Sequence, residues 1–456
     1  MRRSHEIDMT EGPIFSKIVL FSLPLMLTGI LQLLFNAADV IVVGKFAGSR
    51  SLAAVGSNGA LINLLVNVFV GISTGANVLV ANFFGQRDGR GVERCVHCSM
   101  GLSVVIGVFV SILGFFLSTP MLQMMNTDPD VLPLASLYLR IYFLGIPATV
   151  VYNFGAAILR AIGDTDRPLM FLLISGVINV ILNLLLVIVF HLDVAGVAIA
   201  TAVSQYVAAI LVVLCLVHSE GSYRLKIREI RIHKDMLALV VKIGIPAGLQ
   251  SMIFSLSNVT IQSAINSFGY VTMAGNSAAA NLDGFIYIAM NSVYHAALCF
   301  TSQNLGARRV DRLGKIFRSC ILLVIAIGVG VTAVIYLLGP QLLSLYISGA
   351  DADRDAVIAV GMTRLSFVGL PYVLCGLMEV GSGVLRGLGR SWLPLIISVM
   401  GACVLRIIWV YTVFAAFPTL EMLYLSYPVS WFVTPLAHFT ALLFVHRKLK
   451  KEHILA

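Results

Sequence analysis

FNAADVIVVG, residues 35–44, places an acid, Asp39, inside an apolar run that reads as membrane-spanning. A charge near the middle of a spanning helix costs roughly 2.5–3.5 kcal/mol on insertion scales. Such a carboxylate either faces a polar cavity and binds something, or lies near the membrane edge, paired or hydrated. Both readings need the flanking chain to be built for lipid, and the composition says that it is.

Of 456 residues, 59% are hydrophobic and only 12% charged, with a mean hydropathy of +0.94. That leaves too few polar groups to cover a soluble globule, so the chain is an integral membrane protein. The formal charge of +9 does not signal nucleic acid, because no soluble segment carries a basic block interleaved with aromatics. Apolar runs of about 20 residues are each enough to cross a hydrocarbon core of about 30 Å. They give twelve spanning helices at 14–43, 55–83, 96–119, 134–158, 168–190, 196–218, 237–267, 277–303, 317–338, 361–384, 393–415 and 427–446. The expected fold class is an all-α polytopic membrane protein. The first run follows MRRSHEIDMTEGP. It is too long for a signal peptide and no small-residue cleavage site follows, so it reads as a retained span.

Positive residues stay on the cytoplasmic side of short loops. One set of segments collects Arg2, Arg3 and Lys17, then Arg87, Arg90 and Arg94, the run from Arg224 to Lys242, the run from Arg308 to Arg318, and Arg447 to Lys451. The other side has only Lys45, Arg50, Arg140, Arg354 and Arg364, while Arg406 falls within a span. Both termini are therefore expected in the cytoplasm, in a multi-pass protein of the cell membrane.

The chain also repeats itself. SLPLMLTGILQLLFNAADV aligns with GIPAGLQSMIFSLSNVTIQ, setting Pro24 on Pro246, Leu27 on Leu249 and Asn36 on Asn258. Gly85 and Arg87 fall on Gly306 and Arg308, and Arg160, Gly163 and Pro168 on Arg386, Gly389 and Pro394, at nearly the same spacing. The unit is six helices, an even number, so both halves enter the membrane in one direction and are related by a pseudo-two-fold axis along the membrane normal. The expected organisation is a six-helix lobe at 1–218, a cytoplasmic linker at 219–236 and a second lobe at 237–456. The linker contains SYRLKIREIRIHKD, residues 222–235, whose alternation suits either an amphipathic segment on the anionic leaflet or a solvated connector. A duplicated bundle of this kind suits a transporter that rocks one half against the other around a central site.

The paired prolines, NAADVIVVG, the loops GQRDGR and GARRVDR, the pair LRAIGDTDRP and LRGLGRSWLP, and GVAIATAVSQ at residues 196–205 together resemble the multidrug and toxic-compound extrusion (MATE) family of the MOP superfamily. The resemblance runs from about Gly12 to Leu449 and rests on the order and spacing of motifs across two halves, no single motif being specific. It implies a V-shaped helical protein that exports organic cations and other amphipathic compounds, driven by inward flow of Na+ or H+.

The residues themselves suggest where the coupling ion goes. Asp39 lies near the outer end of the first span, Asn179 and Asn183 share one face of the fifth at i, i+4, and Thr201 lies near the start of the sixth. Carboxylate, amide and hydroxyl oxygens are hard ligands that suit Na+, and the same Asp39 could instead take a proton if desolvated. The resemblance maps its cation site onto these positions. It also marks a departure: similar members often carry Asp four residues after the Asn of the fifth span, where this chain has Asn183. The competing reading for both asparagines is interhelical hydrogen bonding.

The second half differs chemically. Asp39 falls on Ile261 in the repeat, and the buried acid of this half is Glu379 in LCGLMEVGSGVLRG. Glu379 is expected either to meet a substrate cation or proton or to pair with Arg386. Gln32, Asn36, Gln250, Phe254 and Asn258 are expected beside it along a substrate cleft, or as ordinary packing. Arg406 reads as structural. CVHC at residues 95–98 lacks a second ligand pair for a metal; no GxxxxGK[ST] loop supports ATP-driven pumping; no catalytic motif suggests an enzyme. No cofactor, no metal beyond Na+ at Asp39 and no nucleic acid are expected, and the protein is expected as a monomer whose partners are amphipathic small molecules and lipid. The leading function is a secondary active multidrug antiporter working by alternating access. The alternative is a flippase or exporter of lipid-linked or anionic intermediates, and the charge of the cleft separates the two.

Overall fold

The computed structural model describes residues 6–125, 127–346 and 353–454. Among them are twelve long helices: α1 Ile14–Ala47, α2 Gly48–Gly85, α3 Gly89–Met124, α4 Leu132–Ala161, α5 Asp166–Val189, α6 Asp193–Val217, α7 Lys234–Asn266, α8 Tyr270–Gly306, α9 Val310–Leu337, α10 Arg354–Gly387, α11 Trp392–Phe414 and α12 Leu420–Ile454. The shortest, α11, has 23 residues and runs about 34 Å, enough to cross a hydrocarbon core. Several helices start earlier or end later than the apolar runs, because their first and last turns continue into polar flanks. Thus α10 begins at Arg354 and α12 continues to Ile454.

Eleven of the twelve are apolar enough to cross a membrane by composition. The exception, α8, has 37 residues and is diluted by Asn276, Asn281, Asp283 and Asn291, two of which it buries in a polar network described below. The helices otherwise turn small and polar residues inward. On α3 the buried face is Cys95, Cys98, Ser99, Ser103, Gly107, Ser111, Gly114 and Ser118, while Val105, Phe109, Ile112 and Phe116 are exposed. Small residues let helices approach where lipid supplies no hydrophobic drive between them, and the outward valines and phenylalanines suit acyl chains.

The repeat reappears in the backbone. Gly48 and Gly269 (φ 86° and 91°), Arg87 and Arg308 (φ 58° and 55°), and Gly163 and Gly389 (φ 92° and 75°) all take left-handed conformations. Each pair sits at matching places in the two halves, so the same turns break the helices twice. For arginine that conformation is unfavourable, and its double occurrence marks the shared loop GQRDGR/GARRVDR.

Two compact units emerge from the packing: residues 1–8 with 27–248, and residues 9–26 with 249–456. The chain thus changes unit within α1 and within α7, a turn or less beyond Pro24 and Pro246, which lie inside those helices and each remove a backbone hydrogen bond. In the first unit α2 meets the opening half of α7 through glycines. A Cβ on Gly71 would stand 2.5 Å from Gly248 N, and one on Gly75 would overlap the Val240 carbonyl. In the second unit an aromatic and apolar core gathers Ile261, Val368, Met378, Tyr424, Tyr427 and Trp431.

Candidate functional site

In the first unit α1 and α5 are brought together by a size match. Gly176 has no side chain, and the Phe35 ring fills the space that a Cβ there would occupy. Further along the two helices, Asp39, one turn past Phe35, faces Asn179 and Asn183, one and two turns past Gly176. Asn183 Nδ2 donates to Asp39 Oδ1, and the same Nδ2 lies 3.3 Å from Asn179 Oδ1. Both asparagines are buried, at 5% and 1% exposure, while Asp39 is half-buried. The Asn183 carbonyl oxygen, Oδ1, is buried without a hydrogen-bond partner. An unpartnered amide oxygen beside a carboxylate is a hard-oxygen arrangement suited to a cation, since a neutral donor would leave the charge uncompensated.

Thr201 is not drawn into this cluster: its hydroxyl donates to Val197 O in its own helix at 2.9 Å, the usual recourse of a threonine inside a helix. Two residues of α4 and one of α6 belong here and were not read from the sequence. Tyr138 interacts electrostatically with Asp39 and stacks on Tyr142, with ring centroids 6.3 Å apart. Gln205 of α6 accepts from the Thr149 hydroxyl of α4. Tyrosines four apart on an apolar helix look like packing in a sequence, and only the approach of α4 to α1 gives them another meaning. Gln32 and Asn36, two turns and one turn before Asp39, are exposed.

The second unit holds its charges differently. Gln250 is buried and accepts from Arg386 Nη2 at 2.6 Å, while Arg386 Nη1 donates to the Tyr294 hydroxyl at 2.6 Å. The expected Glu379–Arg386 pair is therefore not formed at bonding distance. Glu379, half-buried and two turns from Arg386 on α10, feels its charge but makes no hydrogen bond among the described residues. Phe254 packs on the aromatic core, and Asn258 is exposed.

Glu379 is also not the lone buried acid of this half. Asp283 of α8, 3% exposed, accepts from Arg364 Nε at 3.0 Å, and Arg364, 8% exposed, also donates from Nη1 to Asn276 Oδ1 at 2.8 Å. The Tyr424 hydroxyl completes the network by donating to the same Asn276 oxygen at 3.0 Å. Arg364 thus belongs to the interior and not to a loop. Arg406 of α11 is buried at 3% exposure; its Nε donates to Ser430 Oγ at 2.8 Å and its guanidinium lies over Tyr427 and Trp431.

At the end of the first unit that carries the basic loops, His97 has partners on both ring nitrogens. Its Nδ1 lies 2.7 Å from Glu93 O and its Nε2 accepts from the backbone N–H of Lys226 at 2.9 Å, while Lys226 Nζ reaches Glu93 at 2.7 Å. The connector is clasped to α3 through these contacts.

Comparison with known proteins agrees with this architecture. The family profile described as MatE matches residues 24–185 and 246–412. The probable multidrug resistance protein YpnP of Bacillus subtilis is 29% identical over 88% of each chain. The multidrug export protein MepA of Staphylococcus aureus is 21% identical, again over 88% of each. Among solved structures, an outward-facing multidrug resistance MATE family transporter of the MOP superfamily superposes with a TM-score of 0.90 at 23% identity, covering 99% of this chain and all of the other. A MOP superfamily transporter from Pyrococcus furiosus, described as having reverse polarity in its binding pocket, superposes at 0.91 and 22% identity with the same coverage.

Proposed function

This chain belongs to the MatE family, and we propose that it is a multidrug efflux transporter that exports amphipathic organic cations in exchange for Na+ or H+ by alternating access. The observation that carries the coupling role is the cluster of Asp39, Asn179 and Asn183, in which a carboxylate and an unpartnered buried amide oxygen lie together inside a spanning segment. Asp39 holds the coupling ion. Asn183 orients the carboxylate through its Nδ2 and offers its Oδ1 to Na+, or steadies the ionised form against which a proton is exchanged. Asn179 fixes Asn183, and Thr201 contributes only if its hydroxyl leaves Val197. A single carboxylate carries one charge per cycle, since the neutral Asn183 stands where a second acid could have been.

Substrate contact falls to Gln32 and Asn36 in the first unit and to Phe254, Asn258 and Glu379 in the second. Gln250 acts through Arg386, which it holds. The half-buried, unpaired carboxylate of Glu379 suits a lipophilic cation, which pays less to leave water than a small ion does. The basic loops support a cytoplasmic position for both termini under the positive-inside rule. The relatives named for multidrug export support the efflux reading.

The test uses inverted membrane vesicles and a fluorescent organic cation. Sodium and proton gradients are imposed separately, and one of them is expected to drive uptake. Uptake indifferent to both would sink the antiport reading.

A further inference from the structure

In the second unit a positive charge has been buried without a negative one to meet it. Arg406 carries five N–H donors, and among the described residues no carboxylate lies within ion-pair distance of it. Its Nε is used by Ser430, its Nη2 is buried with no hydrogen-bond partner, and the faces of Tyr427 and Trp431 lie 4.3 Å and 5.3 Å from the guanidinium carbon. Aromatic faces attract a cation but offer no lone pair in the guanidinium plane, so the Nη2 N–H groups remain unsatisfied. The other guanidinium over the Tyr427 ring, that of Arg364, does have its carboxylate, Asp283.

The repeat sharpens the contrast. The offset that sets Pro168 on Pro394 brings Arg406 to the residue after Asn179, and the wide turn Val399–Val404 in α11 holds one residue more than an α-turn, which moves Arg406 onto Asn179 itself. Where the first unit has Asp39 with an asparagine, the second has Ile261 with an arginine. The same place in the fold has been given opposite polarity in the two halves.

We infer that Arg406, held in place by Ser430 through its Nε, is a receptor for one singly charged anion in the second unit, supplied either by a carboxylate on the transported compound or by a free halide. This deepens the efflux reading and rests on it for the first source only. A carboxylate would take the buried, unpartnered Nη2 edge, since arginine binds a carboxylate most strongly through its N–H groups, and the two rings would flank it.

The experiment uses the full chain in detergent, with two arms. The protein has three tryptophans, and Trp392→Phe with Trp409→Phe leaves Trp431 as the sole emitter beside Arg406. In the first arm sodium bromide is titrated in; a free-halide site gives saturable quenching of Trp431, and a linear response means no halide site. In the second arm a xanthene dye with its carboxyl esterified, a pure cation, is compared with the same dye as the free acid, a zwitterion. A substrate-carboxylate site binds the acid about tenfold more tightly than the ester or better. Arg406→Gln then removes that preference while the ester affinity stays, and Arg406→Lys keeps part of it. Either saturable quenching or the Arg406-dependent preference supports the receptor. Linear quenching together with equal binding of acid and ester, or a preference that survives in Arg406→Gln, overturns it. If neither dye binds, the efflux reading fails, and the bromide arm decides the receptor by itself.

Discussion

Splitting the Asp283–Arg364 pair is the perturbation whose cost the structure fixes most closely. Both side chains are nearly dry, at 3% and 8% exposure, and Nε to Oδ2 is 3.0 Å. At an effective dielectric of about 20 that separation is worth about 5 kcal/mol of attraction. The desolvation of both ions takes much of it back, so the pair as a whole adds little net stability. Removing one partner is different. Arg364→Met leaves a buried carboxylate whose other oxygen, Oδ1, already lacks a partner. It also removes the bond to Asn276 and two ring contacts with Tyr424 and Tyr427, each 5.7 Å. The expected loss is about 3–5 kcal/mol. The double variant Asp283→Leu with Arg364→Met is expected within about 2 kcal/mol of the parent, because no charge is left stranded. Unfolding of the purified protein in mixed micelles, followed by tryptophan emission against denaturing detergent, measures all three. A single variant as stable as the parent, or a double variant as damaged as the single, would refute the argument.

Three further outcomes follow from local geometry. Asn183→Ala removes the donor to Asp39 and should raise the coupling-ion concentration for half-maximal transport about tenfold or more, from the loss of one charged hydrogen bond; an unchanged value means Asn183 only packs. Gly75→Val forces a side chain into the Val240 carbonyl and should destabilise by about 1–3 kcal/mol or more, whereas Gly56→Val, which meets nothing within 4 Å, should leave the unfolding midpoint alone. His97→Phe removes the acceptor of the Lys226 N–H, so trypsin should cut the connector at Arg224 to Arg231 faster in limited digests; an equal rate means that the Lys226–Glu93 contact suffices.

Much of the fold was legible because lipid imposes simple rules. Apolar length gave twelve helices, and the repeat gave the turns that Arg87 and Arg308 share. Asp39 was legible for the same reason, as a charge where charge is expensive, and i, i+4 spacing put Asn179 and Asn183 on one face. Less could be read where a partner comes from a distant segment. Arg364 follows the start of its helix by only ten residues and so resembles a loop cation, and Asp283 sits in the least apolar helix, where one more polar residue attracts no notice. Glu379 and Arg386 are two turns apart and look paired, yet Tyr294 and Gln250 take the arginine. The wide turn Val399–Val404 leaves no trace in composition, although it decides which residue of α11 stands where Asn179 does.

The role of Asp39 is tested most directly by Asp39→Asn in proteoliposomes, where an imposed ion gradient drives uptake of a fluorescent cation and binding of the same dye is measured in parallel. Asn keeps the shape and can still hydrogen-bond Asn183, so only the charge and its titration are lost. Gradient-driven uptake is expected to disappear while dye binding persists. Uptake at the parent rate under the same gradient would contradict it.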